Sequence, residues 1–201
     1  VATIDHSNLG SGEIHEPKGV FSASSNQVYV ANGSGSGSWT YFPTGWGYYA
    51  DASGAAQTFD STPSVLQIDG AGPTTEESYL PPEIRGSGSL WDTTNNLITP
   101  ISIGDSYDVR IDLPITATAT SPSYLFWTLD IGGGASITNR VASGTLVIAK
   151  TAPFTLSIGI PIFSLSTFKT NGGQIFLSTD AGSVDVDEAT IFISRNHAGG
   201  M

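Results

Sequence analysis

The stretch SYDVRIDLPITAT, residues 106–118, decides the fold class. Tyr107, Val109, Ile111, Leu113 and Ile115 fall on one parity, and Asp108, Arg110, Asp112 and Thr116 on the other. Successive side chains of a strand point to opposite faces, so this alternation predicts a half-buried β-strand. Pro114 has no N–H to give to a ladder, which predicts an edge position or a bulge at that point.

Working outward, SYLFWTLDIG (123–132) is apolar on both parities: Leu125, Trp127 and Leu129 against Tyr124 and Phe126. That surplus predicts burial on both sides, with a sister subunit covering the second. Further strands are predicted at WGYYAD (46–51), AAQTFD (55–60), SVLQID (64–69), GTLVIAK (144–150), FTLSIGIPIF (154–163), GQIFLST (173–179) and VDEATIFIS (186–194). Gly, Pro, Asn and Asp separate these runs, and no stretch carries the 3.6-residue period of a helix. Residues 70–88, with Pro73, Pro81 and Pro82, read as one long irregular loop. Strands of this length and spacing predict an all-β, antiparallel jelly-roll sandwich with eight or more strands inside residues 46–195.

Composition narrows the function classes. Charged residues make up only 12% of the 201, against ~25% in an average soluble protein. The net charge is −11, and the seven basic residues are scattered, so an acidic surface would repel phosphate backbones. No nucleic-acid partner is expected. There is no cysteine, which excludes disulfides and thiolate zinc sites. No apolar run approaches the ~20 residues of a membrane span, and no membrane partner is expected. The segment VATIDHSNLG has neither the basic nor the apolar region of a secretory signal.

The front of the chain reads differently from the rest. HEPKGVFSASSNQVYVANGSGSGSWT, residues 15–40, builds no core of its own. QVYVA (27–31) alternates as one short strand, and a lone strand is not stable in water. It is expected to pair with a neighbouring chain or to dock on a separate surface. NGSGSGS (32–38) reads as a flexible tether. The division expected is an extended anchoring arm and tether at 1–38 and a β-sandwich domain at 39–201.

Candidate chemistry is thin. His6 and His15 lie in the arm and His197 in the C-terminal tail, so no Ser-His-Asp arrangement is expected inside the domain. Asp108 and Asp112 share a strand face, as a glycosidase carboxylate pair would. Arg110 between them points instead to local ion pairing on a solvated face. Asp105 and Asp130 flank strands. Asp185, Asp187 and Glu188 make an acidic turn without the EF-hand spacing. GGGA (132–135) reads as a hairpin loop, since it lacks the spacing of a phosphate cradle. The expectations are no catalytic residues, no metal, no cofactor and no enzyme. The aromatics Trp39, Tyr41, Phe42, Trp46, Tyr48 and Tyr49 crowd eleven residues and are expected to pack in the core or between subunits.

Two passages carry a resemblance. HEPKGV followed by NQVYVANGSGSGSWT resembles an N-terminal motif of structural proteins of tailed bacteriophages. SLWDTTNNLITP, IGDSYDVRIDLPITAT, LDIGGGASI and ATIFISR resemble the β-domain that accompanies it, a jelly roll similar to the tumour-necrosis-factor (TNF) and C1q families. The resemblance implies a virion structural protein on the outer surface of the particle: a capsid decoration or head-fibre protein that forms a homotrimer. Its arm would bind the major capsid protein or another virion protein through His15, Glu16, Pro17, Lys18, Gly19, Val28, Tyr29 and Val30. Trp39, Trp46, Tyr48, Phe126 and Trp127 would pack the trimer and its base. The alternative is a tail or neck fibre whose jelly roll recognises a host surface glycan.

Overall fold

The computed structural model describes residues 23–24, 27–31, 37–52, 54–117, 122–148 and 153–199. Contacts divide the chain into two compact units, Val1–Phe42 and Pro43–Met201.

In the first unit, β1 (Gln27–Ala31) pairs antiparallel with β2 (Gly37–Tyr41). This differs from the expectation for QVYVA: the strand finds its partner within its own chain. Gly37 and Ser38, read as tether, belong to β2. Tyr29 and Trp39 lie opposite each other in the register, with ring centroids 5.4 Å apart in an edge-to-face contact. Such a pair is a unit of hairpin stabilisation. A Cβ on Gly37 would sit 2.8 Å from the Tyr29 ring, so only glycine leaves room for that ring.

The second unit contains the remaining elements: β3 (Gly45–Ala50), β4 (Gln57–Phe59), β5 (Ser64–Val65), β6 (Trp91–Asp92), β7 (Leu97–Ile98), β8 (Ser106–Ala117), β9 (Tyr124–Asp130), β10 (Arg140–Val147), β11 (Phe154–Phe163), α1 (Ser166–Asn171), β12 (Gln174–Thr179), β13 (Val184–Val186) and β14 (Thr190–His197). Four antiparallel pairs are nested in sequence: β3 with β14, β5 with β12, β8 with β11, and β9 with β10. The chain is thus a long ribbon folded back on itself. Two further pairings, β14 with β8 and β12 with β9, roll the ribbon into two facing sheets. One is four-stranded in the order β10-β9-β12-β5. The other is six-stranded, with β3-β14-β8-β13-β4 in line and β11 also paired to β8. This is an antiparallel jelly roll.

The parity read in SYDVRIDLPITAT holds from Tyr107 to Thr116 of β8. Tyr107, Val109, Ile111, Leu113 and Ile115 are all buried, facing Leu125, Leu129, Ile175 and Leu177 of the opposite sheet in one core cluster. Pro114 departs from expectation, because β8 is central, between β11 on one side and β13 and β14 on the other. The N and C=O of one strand residue point to the same side. The Pro114 carbonyl accepts from the Asp187 N–H at 3.0 Å, inside the break between β13 and β14. The missing N–H therefore faces a gap in the ladder.

That break also corrects VDEATIFIS, expected as one strand. A turn with Glu188 at φ 45° splits it, and β13 and β14 both pair with β8. The short helix α1 was not expected; it buries Phe168 and ends at Gly172, whose φ is 72°. A side chain on Gly172 would meet Leu97 and the Ile98 carbonyl, while Gly173 pairs with Ile98 through two backbone hydrogen bonds. His197, read as tail, is the last residue of β14.

Candidate interaction surface

The outer face of the four-stranded sheet is laid out by register. Tyr124 lies opposite Val147, Phe126 opposite Thr145 and Ser178, and Thr128 opposite Ser143 and Phe176. Tyr124, Phe126 and Val147 are 44%, 37% and 72% exposed. Beside them runs a depression of about 450 Å³ lined by residues that include Pro63, Phe126, Ile137, Arg140 and Ser178. Its lining combines aromatic, aliphatic and hydroxyl side chains with one arginine.

Phe126 and Trp127 are neighbours with opposite directions. Phe126 faces outward, whereas Trp127 packs partly buried against the core, over Gly144. Trp46 and Tyr48 lie on the other sheet. Trp46 stacks on Tyr79 with centroids 4.8 Å apart and tilts against Phe192 at 5.6 Å. Tyr49 is core, and the Leu90 N–H donates to its hydroxyl at 2.9 Å. Burial pushes that phenol up to about 12, so it is neutral at physiological pH. Trp39 sits in the first unit, clasped with Tyr29. The crowd of aromatics is therefore shared among a hairpin, a core and an outer face. Val28, Tyr29 and Val30 lie on β1. His6, His15, Glu16, Pro17, Lys18 and Gly19 lie outside the described residues.

Five of the carboxylates considered for chemistry are committed to structure. Asp112 pairs with Arg110 Nε at 3.0 Å and accepts from Ser157 at 2.6 Å, as local ion pairing predicts. Asp108 accepts from Asn196 at 2.6 Å. Asp185 accepts from Thr58 at 2.7 Å. Asp105 is fully buried and holds Arg195 at 2.8 Å. Asp130, also buried, accepts from the N–H groups of Gly132, Thr138 and Asn139 and so ties the GGGA loop to the end of β9. Replacing Asp130 with Ala strands those three donors. The expected loss is about 1.5–3 kcal/mol, read as a lower urea midpoint at unchanged m-value. Among the described residues, no three His, Asp or Glu side chains gather as metal ligands, and no helix is long and apolar enough to cross a membrane.

Nested pairing and two facing sheets place the second unit among the jelly-roll proteins. No protein-family model matches the chain, and no curated protein matches it in sequence. Among solved structures it is similar to the Eiger TNF of S. frugiperda, at 9% identity and TM-score 0.44, over 80% of this chain and 97% of that one. It is similar to VP2 in the subviral particle of infectious bursal disease virus, at 7% identity and TM-score 0.39, over 82% of this chain but 36% of that one. A third likeness is to the PRD1 vertex protein P5, at 11% identity and TM-score 0.39, over 77% of this chain and 96% of that one.

Proposed function

We propose that this chain is a virion structural protein of a tailed bacteriophage, a capsid decoration or head-fibre protein with no catalytic role. Its jelly-roll unit forms a homotrimer on the outer surface of the particle, and its N-terminal segment binds the major capsid protein or another virion protein. The observation that carries this reading is the uncovered apolar face formed by Tyr124, Phe126 and Val147. Apolar side chains set side by side on adjacent strands have a use when a second copy covers them.

The arm supplies the rest. The motif HEPKGV precedes β1, and in a two-stranded ladder each strand keeps one edge for main-chain pairing. Val28, Tyr29 and Val30 would add such an edge to a partner's sheet. Three arms on one head would gain avidity.

Two measurements test the reading separately. Light scattering should give three chains per particle in solution, and Phe126→Asp should give a folded monomer, since its ring is already part exposed. A monomeric wild-type chain would remove the trimer. Immunogold labelling of intact virions should place the protein over the head. Label on the tail would move it to the tail-fibre alternative, and virions without label would end the virion reading.

A further inference from the structure

The outer face of the six-stranded sheet carries a second feature, on the sheet opposite to Tyr124, Phe126 and Val147. Its register sets two rows across four strands: Tyr48, Phe192, Arg110, Gly159, and Trp46, Ser194, Asp108, Pro161. Tyr79 caps the end of the second row by stacking on Trp46 with an interplanar angle of 17°. Trp46 leans on Phe192, and the Arg110 guanidinium lies 5.9 Å above the Phe192 ring. Aromatic surface thus runs continuously from Tyr79, 55% exposed, to Arg110, whose side chain is 57% exposed.

Next to Phe192 the face sinks into a groove of about 390 Å³ between Asp108, Arg110 and Pro161. Gly159 is what opens it: a Cβ there would meet nothing within 4 Å. A volume near 400 Å³ lies inside the range of small-molecule sites. The rim carries planar polar groups. Asp108 is an acceptor already oriented by Asn196, and Asn196 is itself oriented by Ser194 at 3.0 Å. Arg110 gives Nε to Asp112 and has further donors.

Flat ring surface beside a carboxylate, a carboxamide and a guanidinium suits one chemistry in particular. A pyranose has a C–H face that packs on an aromatic ring, and hydroxyls that both donate and accept. Charge decides which pyranose. The net charge is −11, and the local cation is paired with Asp112 and flanked by Asp108, so anionic sugars and phosphates are repelled. For a peptide strand, β8 and β14 are paired on both sides and β3 is bridged to Glu76, which leaves the edge of β11, where Pro161 has no N–H to offer.

We propose that the groove around Asp108, Arg110, Gly159 and Phe192 binds a neutral pyranose unit of a glycan. The site is independent of where the protein sits on a particle, so its failure leaves the virion reading standing, and the reverse. The test is saturation-transfer difference NMR on the full chain with the methyl glycosides of glucose, galactose and N-acetylglucosamine as separate probes. At least one should receive saturation on its ring C–H protons, with a Kd of about 1–10 mM, as a shallow groove allows. Gly159→Gln fills the groove from a backbone position with free space, and Asp108→Ala removes an exposed acceptor. Both should melt as wild type and weaken binding at least about tenfold. No transfer to any of the three glycosides, or equal transfer with both variants, overturns the proposal.

Discussion

Replacing Arg195 with Ala is expected to destabilise the jelly-roll unit by about 3–5 kcal/mol, because it strands a buried charge. The Arg195 side chain is 2% exposed and Asp105 is fully buried. Nη2 reaches Asp105 at 2.8 Å and Nη1 reaches Glu83 at 2.8 Å. The same carboxylate accepts from the Tyr107 hydroxyl at 2.6 Å and from the Ser102 and Gly199 N–H groups, each at 2.8 Å. One arginine thus joins β14 to the loop before β8 and to the segment around Glu83. Without it, Asp105 keeps its charge and loses its counter-ion. A melting temperature lower by roughly 10 °C is the expected reading for a unit of this size. Arg195→Lys should recover only part, since an ammonium lacks the planar fork that serves two carboxylates at once. A variant within about 0.5 kcal/mol of wild type would show that the network is inert.

The same network sets an acid limit. Burial alone pushes the Asp105 carboxyl up, but Arg195, the Tyr107 hydroxyl and the two N–H groups together hold it below its ordinary value of 3.8. A carboxylate depressed in the folded state contributes stability that is complete above its unfolded pKa and is lost as pH falls through its folded pKa. The wild type should therefore keep its contribution from neutral pH down to about pH 4 and lose it below. In Arg195→Ala the depression is relieved, so the acid limb of a denaturation series should begin at higher pH.

The sheets were legible where one parity pointed to the core, as in SYDVRIDLPITAT and FTLSIGIPIF. Pro114 misled because an N–H can be dispensed with in a central strand wherever the neighbouring ladder breaks, and that break lies seventy residues away in sequence. VDEATIFIS hid its turn because Glu188 adopts a positive φ without a glycine to mark it. The helix α1 is six residues long, too short to display a period. QVYVA looked partnerless because the Gly-Ser run concealed that Gly37, Ser38 and Trp39 form the return strand. The outer-face groove was invisible for another reason. Tyr79, Arg110, Gly159 and Phe192 lie on four different segments, and only the fold brings them together. The available signal was the outward parity of TIFISRNH, which carries Phe192, Ser194 and Asn196.

Trp91 poses the second large test, in a hairpin to which the sequence reading assigned no strand. Asp92 accepts from the N–H groups of Thr94 and Asn95 at 2.8 and 3.0 Å, and Asn96 takes φ 53°, so the turn between β6 and β7 is closed by its own side chains. The hairpin holds Trp91 at 1% exposure in the core cluster. Its indole N–H donates to the Ile68 carbonyl at 2.9 Å, pinning the segment after β5. Asn96 adds a second tie by accepting from the Ile68 N–H at 2.9 Å. Truncation of Trp91 to Ala removes one of the largest buried side chains and strands that carbonyl, so a loss of about 3–5 kcal/mol is expected. Trp91→Phe keeps most of the apolar volume and loses the donor, which should cost about 1–3 kcal/mol. If the two variants were equally damaging, the hydrogen bond to Ile68 would carry the effect. If Phe were neutral, volume would carry it, and the pinning of Ile68 would rest on Asn96 alone.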